Sequence, residues 1–268
     1  MTVDTGFTGS IPEIYDRCLG AAMFGPHAAV VARRLAGLGE GAVLEVAAGT
    51  GLATAALLEA LPPAVAVTAT DLNQAMLDCA ARKPALARVA FRQADAQALP
   101  FPNASFEAVV CQFGAMFFPD RRRAHAEARR VLKPGGRYLL SLWDRLALNP
   151  VAELVQATVA ALWPADPPGF IGRAPFGHHD PEVLRADLAA AGFRDIRIET
   201  VPATWRSASA REAAKGYCQG SPLRAELEAR DPDGPARATE AAARAIAARH
   251  GEGPVATPIQ ALVAEARA

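Results

Sequence analysis

The stretch from Val43 to Trp143 alternates short apolar runs with helical segments, and this alternation constrains the fold more than any other feature. Such a rhythm is typical of βαβ units built around a parallel sheet. Strands are predicted over residues 43–46, 64–70, 88–93, 106–111 and 137–143, and helices over residues 52–61, 73–82 and 119–132. The segment Lys133-Pro134-Gly135-Gly136 is predicted to be a turn before the fifth strand. The sequence therefore predicts an α/β fold with a Rossmann-like doubly wound sheet.

The later part of the chain carries a second set of signals. Asp180 followed by Pro181 is typical of a helix start, with Asp as the N-cap and Pro at the first helical position. That helix is predicted to end at Gly192, before a strand. The remaining predictions are that strand over residues 195–201, helical stretches over 210–228 and 236–249 with a break at 232–235, and a last strand over 257–264.

Length and charge narrow the classes of partner. A chain of 268 residues is long enough to bury one substantial core. The formal net charge is +0, whereas a nucleic-acid partner would require a basic surface, so we expect no nucleic-acid partner. No run of about 18 apolar residues is present, so no membrane insertion is expected. The stretch from Met1 to Ser10 lacks the positive charge of a signal peptide, which predicts a cytoplasmic protein. The four cysteines are scattered, so we expect no metal site.

Residues with chemical potential lie at the predicted strand ends. Ligands bind open α/β sheets at the carboxyl ends of strands, where the strand order reverses. Gly49 and Gly51 follow the first strand and are expected to let the backbone approach a ligand closely. The helix after Gly51 directs free N–H groups to the same place, which favours a carboxylate. Asp71 ends the second strand, 20 residues past Gly51, at the position where an acid binds a ribose diol.

Two features argue against a nicotinamide or flavin site. Position 54 is Thr, so the third small residue of a GxGxxG motif is missing. Glu45 places a negative charge at the end of the first strand, where a pyrophosphate would be repelled. A ligand with an ammonium, a sulfonium, a ribose, an adenine and a carboxylate, but no phosphate, fits better. S-adenosylmethionine has all of these groups.

Four segments then resemble the motifs of a known family. Residues 43–51, VLEVAAGTG, resemble motif I of the class I methyltransferases, although Ala48 stands where glycine or cysteine is commoner. Residues 70–77 resemble their acidic second motif, residues 93–110 their third segment, and residues 132–136 the proline-glycine turn before the fifth strand. The subgroup is similar to the small-molecule enzymes related to quinone-biosynthesis methyltransferases. This resemblance implies S-adenosylmethionine as the cofactor and an antiparallel last strand in a mostly parallel sheet.

The resemblance also implies roles for individual residues. Asp71 would bond the ribose hydroxyls, with Leu72 and Met76 against the adenine. Asp95 would accept a hydrogen bond from the adenine amino group, and the backbone of Ala96 would meet the ring. Gln112 would lie near the methionine portion, and Glu45 would hold the motif I loop or, through water, the amino group. The full set of cofactor-binding residues is Glu45, Ala47, Gly49, Gly51, Asp71, Leu72, Met76, Asp95, Ala96 and Gln112.

The expected activity is in-line methyl transfer from S-adenosylmethionine to a small-molecule acceptor, with no catalytic residue assigned. A quinone-like C-methyltransferase and a non-catalytic S-adenosylmethionine-binding module remain as alternatives. His178 and His179 are interpreted as loop residues rather than as a general base. We expect one domain over residues 1–268, with a sheet core at about 30–145, 180–201 and 257–266. A helical cap at about 1–28, 149–176 and 207–254 would form the acceptor pocket. The resemblance implies that Ile11–Phe24 is a lid, and simple packing is the alternative for this stretch.

Overall fold

A computed structural model describes residues 6–268, and the first five residues of the predicted cap lie outside the described residues. The strands are β1 (Gly41–Val46), β2 (Val65–Asp71), β3 (Ala90–Gln93), β4 (Phe106–Gln112), β5 (Leu132–Trp143), β6 (Arg194–Ser207) and β7 (Val255–Arg267). The helices are α1 (Ile11–Tyr15), α2 (Ala21–Leu35), α3 (Leu52–Ala60), α4 (Gln74–Ala81), α5 (Arg121–Val131), α6 (Pro150–Leu162), α7 (Phe170–Arg173), α8 (Pro181–Ala190), α9 (Ala210–Gln219), α10 (Leu223–Arg230) and α11 (Gly234–His250). A π-helical turn, Asp16–Gly20, joins α1 to α2.

The strands form one sheet in the order β3-β2-β1-β4-β5-β7-β6. Strands β1 to β5 run parallel, and β7 lies antiparallel between β5 and β6. This arrangement confirms the predicted α/β class, the Rossmann-like sheet and the antiparallel last strand. The strand order reverses between β1 and β4, and their carboxyl ends therefore form the switch point at which such sheets bind ligands.

Both faces of the sheet are covered, which explains why the central strands are apolar along their whole length. On one face, α2 and α3 pack on residues such as Val43 and Leu139. On the other face, α5 and α8 pack on Tyr138 and Leu140, and this core continues into the C-terminal helices. Alternate residues of β5 thus belong to different cores, as the two-residue period of a strand requires.

The predicted turn at residues 133–136 lies within β5 rather than before it. Leu132 pairs with Phe106 and Arg137 pairs with Ala108, so the four intervening residues lie opposite Glu107 alone. The turn is therefore a bulge, with Gly135 at a φ of +76° that favours glycine.

Other boundaries also differ from the predictions. The predicted helix over residues 210–228 is two helices, because Pro222 lacks an N–H donor and begins a new helix after Gly220. Helix α11 begins inside the predicted break, with Pro235 in its first turn, where proline is tolerated. Strand β6 extends to Ser207, well beyond its predicted end. Within residues 6–268, none of the helices combines the length and hydropathy that crossing a bilayer requires.

Candidate functional site

A cavity of about 420 Å³ lies at the carboxyl ends of β1, β2 and β4. Its volume falls within the usual range for small-molecule sites, roughly 300–1,000 Å³. Nine of the ten predicted site residues line it: Glu45, Ala47, Gly49, Asp71, Leu72, Met76, Asp95, Ala96 and Gln112. The loops that follow the strands thus bring together side chains from sequence positions far apart.

Gly51 is the exception, because it does not line the cavity. Its φ is +82°, and a Cβ there would lie 2.5 Å from Leu86 Cδ1 and 3.2 Å from Ala80 Cβ. Left-handed backbone and close packing against the next βα unit thus favour glycine at this position.

Asp71 ties two loops together beneath the cavity. Its Oδ2 accepts a hydrogen bond from the Gly49 N–H at 2.9 Å, and its Oδ1 accepts one from the Asn73 N–H at 2.8 Å. Burial raises the pKa of Asp71. Asn73 also lines the cavity, and its Oδ1 has no hydrogen-bond partner among the described residues. Sequence reasoning missed Asn73, although it belongs to the acidic motif.

Glu45 is held away from water at the end of β1, with 1% of its surface exposed. Its Oε2 accepts a hydrogen bond from Thr54 Oγ1 at 2.6 Å, which fixes the first turn of α3 to the strand. Burial raises the pKa of Glu45 to about 8, and the nearby Asp71 contributes in the same direction. Thr54 is thus the partner of Glu45, whereas the sequence showed only that a small residue was missing there.

Gln112 presents an unpaired acceptor at the end of β4. Its Nε2 donates to the Phe24 carbonyl at 3.2 Å, while its buried Oε1 has no partner within residues 6–268. Buried polar atoms are nearly always paired, so an unpaired acceptor at a cavity wall fits a ligand donor such as an ammonium. The adjacent backbone is strained: Ala47 and Phe113 have φ values of 55° and 52°. Such strain is typical of functional sites.

Asp95 lies on the turn after β3 and lines the outer part of the cavity. Its carboxylate accepts hydrogen bonds from the backbone and side-chain nitrogens of Gln97, at 2.8 Å and 3.1 Å. Gln97 also lines the cavity and was not predicted. His178 and His179 line neither this cavity nor the one described below. His178 is buried, and burial lowers its pKa to about 4.

The N-terminal segment reaches over the cavity and is fastened to the motif I loop. Asp16 Oδ1 accepts hydrogen bonds from Thr50 Oγ1 and Lys83 Nζ, both at 2.6 Å. Lys83 also donates to the Thr50 carbonyl at 2.8 Å. Tyr15 and Phe24 line the cavity with their rings stacked, 5.2 Å between centroids. The N-terminal segment therefore forms part of the cavity wall.

A second cavity, of about 70 Å³, continues from the first. The two share Phe7, Tyr15, Phe24, Phe113 and Phe117 as lining residues. The second cavity is closed mainly by aromatic side chains from the N-terminal segment, from β5, from the region of α7 and from α9. Its further aromatic residues are Trp143, Phe170, Phe176 and Tyr217.

Comparisons with known proteins agree with this geometry. Residues 43–136 match a family model described as a methyltransferase domain. The ubiquinone/menaquinone biosynthesis C-methyltransferase UbiE of Escherichia coli is 29% identical over 167 residues, which cover 58% of this chain and 66% of that protein. The match thus spans slightly less than two thirds of the relative's length.

Solved structures share the fold over most of the chain. Phosphoethanolamine N-methyltransferase 2 of Haemonchus contortus was solved with phosphomonomethylethanolamine and S-adenosylhomocysteine. It gives a TM-score of 0.62 at 15% identity, covering 100% of this chain and 60% of that one. The [4+2]-cyclase SpnF gives a TM-score of 0.55 at 25% identity, covering 90% of this chain and 79% of that one.

The matched family model identifies residues 43–136 as a methyltransferase domain, and the sheet order is that of the Rossmann-like fold of class I S-adenosylmethionine-dependent methyltransferases. The chain is also a distant homologue of the ubiquinone/menaquinone C-methyltransferases.

Proposed function

We propose that this protein transfers a methyl group from S-adenosylmethionine to a small-molecule acceptor by in-line displacement. One observation carries the proposal: the cavity lined by the motif residues adjoins a second, apolar cavity and shares five aromatic lining residues with it. A donor in the first cavity and an acceptor in the second would meet at the shared aromatic residues.

The residues of the first cavity suit the groups of the cofactor. Asp71 and Asn73 would bond the ribose hydroxyls, because both line the cavity and Asn73 Oδ1 has no partner among the described residues. Leu72 and Met76 would pack on the adenine. The unpaired Oε1 of Gln112 would accept from the ammonium group of the methionine portion. Asp95 and Ala96 would meet the adenine edge.

The bound cofactor supplies a methyl group already activated by its sulfonium. The protein's own task is to align the acceptor with that methyl group and to exclude water. The second cavity suits this task, since aromatic side chains enclose it and none of its lining residues within the described part of the chain is charged. No general base is therefore assigned.

Segments outside the sheet supply most of the second cavity, and we propose them as the cap of a single domain. Within the described residues these segments are 6–28, 149–176 and 207–254. They contribute Tyr15, Phe170 and Tyr217 to the lining. A pocket enclosed from both ends of the chain favours a small acceptor over a macromolecule.

Calorimetric titration tests the cofactor assignment. S-adenosylmethionine and S-adenosylhomocysteine should bind, and NADH should not. A screen of candidate acceptors with methyl-labelled donor then tests transfer. NADH binding without S-adenosylmethionine binding would refute the proposal.

Two alternatives have specific support. The name of the Escherichia coli relative and the aromatic lining both favour a quinone-like acceptor methylated at carbon, so demethylated quinols belong in the screen. The similarity to a [4+2]-cyclase shows that this fold does not by itself imply methyl transfer. Tight cofactor binding without transfer to any acceptor would favour a non-catalytic module.

A further inference from the structure

The polar groups of the second cavity are few, and most of them are already engaged. Asn149 and Ser221 line the cavity. Asn149 Oδ1 accepts from the Gln260 N–H at 3.1 Å, and its Nδ2 donates to the Arg145 carbonyl at 3.2 Å. Ser221 Oγ donates to the Tyr217 carbonyl at 2.6 Å. Both side chains are already hydrogen-bonded to backbone groups, so few of their donors and acceptors remain free to bind a ligand.

The hydroxyl of Tyr217 is different. It has no hydrogen-bond partner among the described residues, and its oxygen is not completely buried. Its ring is fixed on α9 by an edge-to-face contact with the fully buried Trp205, 5.9 Å between centroids. Burial raises the pKa of Tyr217, so the phenol stays neutral and can both donate and accept. Tyr217 lines the second cavity, and a rigid ring whose hydroxyl has no protein partner is suited to recognise one polar group of a ligand.

The remaining walls favour a flat, uncharged molecule. No charged residue lines the second cavity within residues 6–268. An anion buried there would have no counter-charge, which is costly in an apolar site. Trp143 stacks on Phe113 at 4.1 Å and on Phe176 at 5.8 Å, so these aromatic planes lie nearly parallel. Such walls pack best against another planar ring.

We propose that the acceptor is an uncharged aromatic molecule carrying a hydroxyl group, and that Tyr217 determines specificity by hydrogen-bonding that hydroxyl. This inference rests on the proposed function, because it concerns the acceptor end of the same site. Tyr15 also has an unpartnered hydroxyl within the described structure, but it lines both cavities and is therefore shared with the cofactor.

The test uses four matched probes: 4-methylphenol, toluene, 4-methylbenzoate and 4-methylbenzylamine. Their binding to the protein saturated with S-adenosylhomocysteine is measured by calorimetry and by tryptophan fluorescence, to which Trp143 in the cavity wall contributes. We expect 4-methylphenol to bind about tenfold more tightly than toluene, as one hydrogen bond of about 1.4 kcal/mol would give. The two charged probes should bind more weakly than toluene.

Tyr217→Phe removes only the unpartnered hydroxyl and should leave the thermal stability unchanged. We expect it to abolish the preference for 4-methylphenol over toluene while toluene binds as before. Tyr138→Phe is the matched control: that hydroxyl bonds His125 at 3.2 Å and does not line the cavity. Its probe binding should equal that of the unmodified protein.

The outcomes separate this inference from the proposed function. If S-adenosylhomocysteine binds but Tyr217→Phe keeps the full preference, the role of Tyr217 is refuted and the methyltransferase proposal stands. Tighter binding of the ammonium probe would mean that the aromatic walls form a cation site, and would overturn the uncharged-acceptor class. Failure of S-adenosylhomocysteine to bind at all would refute both.

Discussion

Replacing Glu45 with glutamine removes a carboxyl group that the fold keeps out of water. Burial raises the pKa of Glu45 to about 8, from the ordinary value of 4.5. Between these two values the folded state binds more protons than the unfolded state, so stability must fall as the pH rises. Each unit of pKa difference corresponds to about 1.4 kcal/mol, which puts the total loss between pH 4.5 and 8 at roughly 3–5 kcal/mol.

The amide of glutamine keeps an oxygen that can accept the hydrogen bond from Thr54, and it has no charge to desolvate. Glu45→Gln should therefore match the unmodified protein near pH 5 and be more stable by about 3 kcal/mol at pH 8.5. Urea unfolding at several pH values between 5 and 8.5 measures this difference. Glu59→Gln, an exposed position on α3, is the control and should show no such change. Equal pH slopes for the two Glu45 forms would refute the argument.

The same carboxyl group should respond to the cofactor. A cationic ligand in the first cavity favours the ionised form of Glu45, so binding near pH 6.5 should release a proton from it. Calorimetric titration of S-adenosylmethionine in buffers of different ionisation enthalpy counts the released protons. Glu45→Gln should release fewer. An identical count would mean that the carboxyl group does not sense the ligand's charge.

Three further substitutions probe the cofactor loops. Asp71→Ala should weaken S-adenosylmethionine binding at least tenfold and also lower the free energy of unfolding, since two backbone N–H groups lose their acceptor; an unchanged dissociation constant would place the cofactor elsewhere. Gly114→Ala would set a Cβ 2.4 Å from the Ala47 Cβ, so it should weaken cofactor binding in the same titration, and normal affinity would contradict the close fit. Asp16→Ala removes the ion pair between the N-terminal segment and Lys83. It should raise the cofactor dissociation rate several-fold in stopped-flow fluorescence, whereas an unchanged rate would show that this ion pair does not limit exit.

Features encoded within a few residues could be predicted from the sequence. Asp180 caps α8 as expected, accepting hydrogen bonds from the N–H groups of Glu182 and Val183. The strands around the motif I loop were predicted within a few residues because their apolar runs are continuous. Nine of the ten residues indicated by the strand ends and by the family resemblance line one cavity.

Features that depend on distant partners could not be predicted this way. Beyond Val201, strand β6 alternates exposed residues with intermediate or buried ones such as Trp205, and it continues there because β7 pairs with it as far as Ser207. The role of Gly51 depends on Leu86, which only the packed fold brings near. Thr54 donates its hydrogen bond to Glu45 because the glycine turn orients the first turn of α3 toward the end of β1.

The proposed acceptor cavity also depends on residues that are distant in sequence. This dependence explains why the sequence shows no catalytic motif. Leu223, Leu227 and Ile246 are fully buried, and their helices pack largely on one another rather than on the rim of the sheet alone. Deleting this region would therefore remove part of the core along with the acceptor wall, so point substitutions such as Tyr217→Phe are the informative tests. Methyl transfer requires that the acceptor be aligned with the methyl group and that water be excluded, more than it requires proton transfer. It therefore depends on the shape of the cavity walls. Wall shape comes from segments distant in sequence, and for that reason local patterns identify the donor site but not the acceptor.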